Sequence, residues 1–319
     1  MIRVVGANPA LDRIALWPPV TLGAVNRATR VLSLAGGKGL NVCRGIRALG
    51  RPVTAYGFAG GIVGEAIRAG CAAAGIEDRL TAIQGETRVC MIVVEPEAGR
   101  STVLNEPGPT ASPEDADRLQ DALAADCRPG EILVLSGTLP LGLEPAVMAR
   151  IVALGREAGC RVILDSSGPT LRAAVRERPW MLKCNAGEFA ALEREADPSG
   201  VASPPDDPLA LVGPARALIA TGVTIVVVTL GADGLLAITS DEVLRLSPPP
   251  VAAVNAVGSG DVLLAGLAVR LSDAAPLDES LAFATACAAG SVGRLAPEIP
   301  PPDEVAQLLA GVRSESIEP

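Results

Sequence analysis

The chain has 319 residues, 49% of them hydrophobic but only 2% aromatic, which allows one large α/β domain with an appendage, or two domains, around a core of Ala, Val, Leu and Ile. Lys and Arg number 27 against 36 Asp and Glu, and the net charge of −9 disfavours nucleic acid and anionic membrane as partners. Histidine is absent, which excludes Ser-His and Cys-His triads and His-ligated metals and leaves acid–base work to carboxylates and lysines.

Ile2 to Gly6 reads as a buried strand ending in the polar turn Asn8-Pro9-Ala10-Leu11-Asp12. A turn at a strand's carboxyl end is where open α/β sheets keep their ligands. The turn comes too early for a secretory signal and no apolar run approaches about 18 residues, so a soluble, cytoplasmic protein is expected. Seven cysteines with no short-spaced pair fit reduced, mostly buried thiols. Ile14 to Trp17 and Arg27 to Leu34 are short β runs with no helix between them, a hairpin standing apart from the main sheet. Ala35-Gly36-Gly37-Lys38-Gly39-Leu40-Asn41-Val42 is a glycine turn opening a helix to about Leu49, with Lys38 and Asn41 as a cation and an amide for a ligand. Val53 to Phe58 is a strand and Gly64 to Ala74 a helix. Glu86 to Val94 alternates as a strand with Arg88 on one face, and Arg100 to Asn105 is its hairpin mate. Segments 12–35 and 86–107 together make one small sheet.

From Ser112-Pro113, an N-cap with Pro at the first helical position, a helix runs to about Ala125. Ile132 to Ser136, Arg161 to Asp165 and Met181 to Lys183 are strands, with a helix from Glu144 to Ala158 and a short one after Asp165. This alternation predicts a parallel sheet with right-handed crossovers. Ile225 to Leu230 and Leu235 to Ile238 extend the sheet around the turn 231–234. Asp197 to Pro208 reads as a surface loop and the tail beyond Gly311 as frayed, with no domain linker anywhere.

Asn255 to Leu264 carries the sharpest chemistry. A proline-rich loop leads into Gly258-Ser259-Gly260-Asp261, and Val262, Leu263, Gly266, Leu267 and Leu271 continue as a helix. Unpaired N–H groups at such a helix start, with the helix dipole behind them, suit a phosphate. Asp261 beside that anion fits a base that takes a proton from an attacking hydroxyl. Asn185 and Glu188, at another strand end, are either a capping box or oxygen ligands for magnesium. Asp165 closes a third strand.

Gly36-Gly37-Lys38-Gly39, Asn185-x-x-Glu188, Thr229-Leu230-Gly231-x-x-Gly234 and Gly258-Ser259-Gly260-Asp261, in this order, resemble the PfkB/ribokinase family of carbohydrate kinases across essentially the whole chain. Asn8 to Asp12, Glu86-Thr87-Arg88, Asn105 to Pro109 and Ser136 to Pro140 resemble its hexose-phosphate branch, and Ser259 leans toward the tagatose-6-phosphate kinase type. Cys184 departs from the family, which usually has proline there. The resemblance implies a single ribokinase-like, Rossmann-like domain over 1–319 with a β lid that clasps a partner's lid in a homodimer. It implies ATP with Mg2+, and allows a monovalent cation. By position it implies Asp261 as base and Gly258, Ser259 and Gly260 as anion hole. Asp12, Gly37 and Asn41 would take sugar hydroxyls; Lys38, Arg88, Arg27 and Ser136 the substrate's own phosphate. Lys183, Asn185, Thr229, Gly231, Gly234 and Val254 would flank the nucleotide, with Glu188, Asn185 and Asp165 near the metal. The reaction implied is γ-phosphoryl transfer to a ketohexose monophosphate; a kinase of an unphosphorylated sugar or nucleoside and a catalytically silent sensor are the alternatives.

Overall fold

The computed structural model describes residues 1–192 and 203–317. Its centre is a ten-stranded sheet. From Glu77–Asp78 through Val53–Tyr56, Ile2–Val5, Ile132–Ser136, Arg161–Asp165, Met181–Asn185 and Ile225–Thr229 neighbouring strands are parallel; Leu235–Ile238, Val243–Ser247 and Arg313–Ile317 follow antiparallel. The inner parallel strands, unlike the acidic edge pair Glu77–Asp78, are largely apolar on both faces because both are covered. In Ile132–Ser136, Ile132 and Val134 join the core under the helices Lys38–Ala48, Ser259–Ser272 and Leu277–Val292, while Leu133 and Leu135 join the opposite core under Pro113–Asp126 and Ala146–Glu157. The result is three layers, as a ribokinase-like fold requires.

The expected small sheet is present. Its strands run in the order Arg30–Gly36, Ala10–Leu16, Val89–Glu95, Arg100–Asn105, with the central pair parallel and the outer pairs antiparallel. The first two strands lie on boundaries different from the expected ones: the first begins at Ala10 directly after Pro9, and the second begins at Arg30, which leaves Arg27 in an exposed connecting loop. Ser112 and Asp115 make the expected cap, each side chain bonding the other's backbone N–H. All seven cysteines are buried and free.

The tail is a correction. Arg313–Ile317 is not frayed but an edge strand paired with Val243–Ser247, held by main-chain bonds that polar, exposed side chains do not reveal. The helix Leu277–Val292 carried no sequence signal because its small apolar residues surround it, and a helix buried on most sides lacks an amphipathic period. Of the expected loop 197–208, residues 197–202 lie outside the described part. No helix among the described residues is long and apolar enough to cross a membrane.

Candidate active site

Ser136 and Asp165 are paired in register at their strand ends, as are Asn185 and Thr229, so the carboxyl edge of the sheet forms a polar floor. Asp165 is fully buried. Its Oδ2 accepts from Lys183 Nζ at 3.0 Å and its Oδ1 from Lys38 Nζ at 3.4 Å, and Lys38 also reaches Glu188 Oε1 at 3.5 Å. Burial pushes the Asp165 carboxyl up, but the two ammonium groups outweigh it and hold it below its ordinary value. The same Asp165 charge, against the cost of burial, holds Lys38 protonated well above its ordinary range. Asp165, expected near a metal, is therefore the counter-ion of two lysines and does not line the cavity.

Of their two readings, Asn185 and Glu188 make the capping box. Asn185 Oδ1 accepts from the Glu188 N–H at 2.8 Å, and Glu188 Oε2 accepts from the Asn185 N–H at 2.9 Å, a capping box at the start of Ala186–Leu192. Both residues nevertheless line the cavity, with Glu188 Oε1 turned to Lys38. Among the described residues no cluster of three or more His, Cys, Asp and Glu forms a metal cage. The donor set fits a magnesium ion that keeps waters and phosphate oxygens and takes one or two protein ligands, Glu188 and Asn185.

Gly258 caps Ser259–Ser272 with φ 83°, and a Cβ there would stand 2.7 Å from Pro297 Cβ, so both backbone and space demand glycine. Among the described residues nothing accepts a hydrogen bond from the N–H of Gly258 or Gly260. Lys183 Nζ lies 3.1 Å from where a Gly260 Cβ would be, which sets a fixed cation over the same turn. Two free N–H groups, a helix N-terminus and an ammonium together suit an anion. Asp261 is 4% exposed and its Oδ2 accepts from Asn41 Nδ2 at 2.8 Å. Burial raises its carboxyl to about 6, against the opposing pull of Lys38. A carboxylate near that value is a competent base at neutral pH.

The small sheet walls the other side. Asp12 is buried, accepts from the Gly37 N–H at 3.1 Å, and is shifted upward by burial, with that N–H, Arg44 and Arg88 opposing. Arg88 donates to the Asn8 carbonyl and to Asn105 Oδ1, each at 3.0 Å, which aims its guanidinium into the cavity. Ser136 Oγ and Asn41 Oδ1 are buried without a partner, and both residues line the same space. An orphaned buried polar atom facing a cavity signals a ligand.

These residues surround about 490 Å³, with Asn8, Asn105, Arg88, Thr229, Lys183 and Glu188 all in its wall. The Ser259 side chain, Arg27, Gly231, Gly234 and Val254 do not line it. Gly234 has a structural task, since at φ 93° its Cβ would fall 1.8 Å from the Leu246 carbonyl oxygen. Val254 ties its loop to the helix Leu277–Val292 through Val292 O at 2.9 Å. Sequence reasoning did not assign site roles to Asn8 and Asn105, although one stands in a strand-end turn and the other ends a lid strand. It missed Arg44 entirely, because a charged residue on a helix reads as solvated; here it is tucked inward and bonds the Ala35 carbonyl at the lid's root.

A three-layer ribokinase-like fold whose cavity is lined by a glycine turn with free N–H groups, a buried carboxylate, two lysines and an arginine has the groups a phosphotransferase needs. The pattern of the pfkB family of carbohydrate kinases matches residues 7–304, and the chain belongs to that family. It is 33% identical over 320 residues to 1-phosphofructokinase of Rhodobacter capsulatus, covering 100% of this chain and 98% of that protein. It is 31% identical over 273 residues to tagatose-6-phosphate kinase of Staphylococcus epidermidis, covering 85% of each. Phosphofructokinase-2 of Escherichia coli, solved in complex with fructose-6-phosphate, superposes with a TM-score of 0.86 at 26% identity, covering 97% of this chain and 98% of that one.

Proposed function

We propose that this enzyme transfers the γ-phosphoryl group of ATP to a hydroxyl of a ketohexose monophosphate and releases a hexose bisphosphate. The observation that carries the reading is a buried Asp261, raised to about 6, beside a glycine turn with free N–H groups in a cavity that Arg88 also lines. The kinase class follows from the family; the ketohexose phosphate follows from relatives acting on fructose and tagatose phosphates.

In this reading Arg88, steadied by Asn8 and Asn105, grips the sugar's existing phosphate, since a guanidinium forks onto phosphate oxygens. Asp12 and Asn41 orient the sugar so that its hydroxyl meets Asp261, which takes the hydroxyl proton at Oδ1 while Asn41 holds Oδ2. Gly258 and Gly260 N–H, with Lys183 and Lys38, carry the charge of the transferring group, where positioning and neutralisation supply most of the catalysis. Magnesium, held by Glu188 and Asn185, would neutralise the nucleotide's phosphates. A monovalent cation belongs to the same proposal, because the Escherichia coli relative was solved with potassium. So does assembly: the lid leaves Leu104 and Val31 exposed at 57% and 46%, an apolar face for a second copy, and that relative has a tetrameric inhibited form. The cytoplasm is the proposed compartment, where the seven free thiols stay reduced.

Coupled ADP release from Mg-ATP with fructose 1-phosphate, fructose 6-phosphate, tagatose 6-phosphate and the free sugars tests the reading. Strong preference for one phosphorylated ketose is expected. Activity on free sugars alone, or on none, overturns it.

A further inference from the structure

The outer lid strand Arg100–Asn105 is exposed along most of its length, yet its alternate residues Ser101, Val103 and Asn105 form one row that meets the site at three points. Asn105 accepts from Arg88, Val103 lines the cavity, and Ser101 Oγ donates to Asn255 Oδ1 at 2.9 Å. Asn255 stands three residues before Gly258 and is 4% exposed. Its amide also holds the turn and the segment behind it: Oδ1 accepts from the Val257 N–H at 3.1 Å, and Nδ2 donates to the Leu295 carbonyl at 2.8 Å. One carbonyl oxygen is thus shared between the lid and the loop that shapes the anion hole.

We infer that Ser101 is a positioning residue: its hydrogen bond to Asn255 couples the seated lid to the anion turn, so that the turn is held in its phosphate-binding form when the lid is down. The row gives the coupling a direction. A sugar phosphate drawn onto Arg88 steadies Asn105, which keeps the strand seated and Ser101 on Asn255. Nucleotide bound without sugar lacks that support, and transfer to water is disfavoured because the turn is less firmly set.

The inference rests on the kinase reading but is tested partly apart from it. Ser101→Ala removes the bond with little change in volume, and Ser101→Thr retains the hydroxyl. Amide hydrogen exchange at Val257, followed in the protein without substrates, is expected to quicken about fivefold in Ser101→Ala and to stay near wild type in Ser101→Thr, the scale of one neutral hydrogen bond. Under saturating substrates kcat is expected to fall about fivefold in Ser101→Ala, with KM for the sugar phosphate within twofold and Thr restoring the rate. Unchanged exchange at Val257 overturns the coupling whatever the rate does, and unchanged kcat with quickened exchange overturns its bearing on catalysis. A wild-type protein that phosphorylates no ketohexose phosphate overturns the kinase reading instead, and the exchange experiment still judges Ser101.

Discussion

Two glycine turns open helices into the same cavity, and they use glycine for different reasons. At 258–260 the backbone needs it: Gly258 sits at φ 83° against Pro297, and the reward is a pair of unclaimed N–H groups beneath Lys183. At 36–39 packing needs it as well. A Cβ on Gly36 would lie 2.1 Å from Asp12 Oδ2, and one on Gly39 would lie 2.4 Å from the Gly6 Cα, so the lid's root and the first strand can close on this turn only if it is bare. The first turn leaves amides unclaimed at a helix start; the second brings side chains, Asp12, Lys38 and Asn41, to one place. Similar sequence patterns can therefore build an electrostatic site in one case and a joint in the other.

The comparison is broken most severely at its chemical centre. Asp261→Asn is expected to lower kcat by about 10²-fold or more with KM values within a few-fold, in steady-state kinetics. The same change should not lower the melting temperature. Burial raises this carboxyl from 3.8 to about 6, so the unfolded chain releases the proton first and ionisation through that window subtracts from folded stability, a cost the amide lacks. A variant of near wild-type rate would remove Asp261 from the base role.

Next come the turns themselves. Gly258→Ala should cut kcat by at least about tenfold through strain and the Pro297 contact, whereas Gly36→Ala should act chiefly on the KM of the sugar phosphate by displacing Asp12, also by about tenfold. Equal patterns from the two variants would erase the distinction drawn here. Arg88→Ala is expected to raise the sugar-phosphate KM by about tenfold or more while leaving the ATP KM within a few-fold, and parallel rises would argue against phosphate contact. The smallest effect is the pH profile. If Asp261 is the base, as proposed, its carboxylate form is the active one and kcat/KM should fall as pH drops through about 6, tenfold per unit below it; a profile flat down to pH 5 would show a lower pKa in the working enzyme.

Much of the frame was legible because it rests on local rules. Ile132–Ser136 and Arg161–Asp165 read correctly to the residue, each a short apolar run bounded by turns, and the order of strands and helices already implied a parallel sheet. The lid was legible as β structure without helices, though its boundaries were not. What failed was structure whose signal lies elsewhere: the edge strand Arg313–Ile317, made by main-chain pairing, and the helix Leu277–Val292, whose small residues are buried on most sides.

By itself the sequence determined which groups are available for chemistry. With no histidine, proton transfer falls to carboxylates; glycine spacing marks two helix starts; and motif order assigns the family. Only the tertiary structure decided what each carboxylate is for. Asp165 ends a strand, Glu188 and Asp261 stand in the first turns of helices and Asp12 lies within a strand of the small sheet; Asp165 is neutralised by two lysines, Glu188 caps its helix and turns its other oxygen to Lys38, Asp12 holds the Gly37 N–H, and Asp261 is left buried beside an amide with its carboxyl raised. A carboxylate's role is set by its solvation and by the charges within a few ångströms, and partners such as Asn41 and Asp261, 220 residues apart, meet only in the fold.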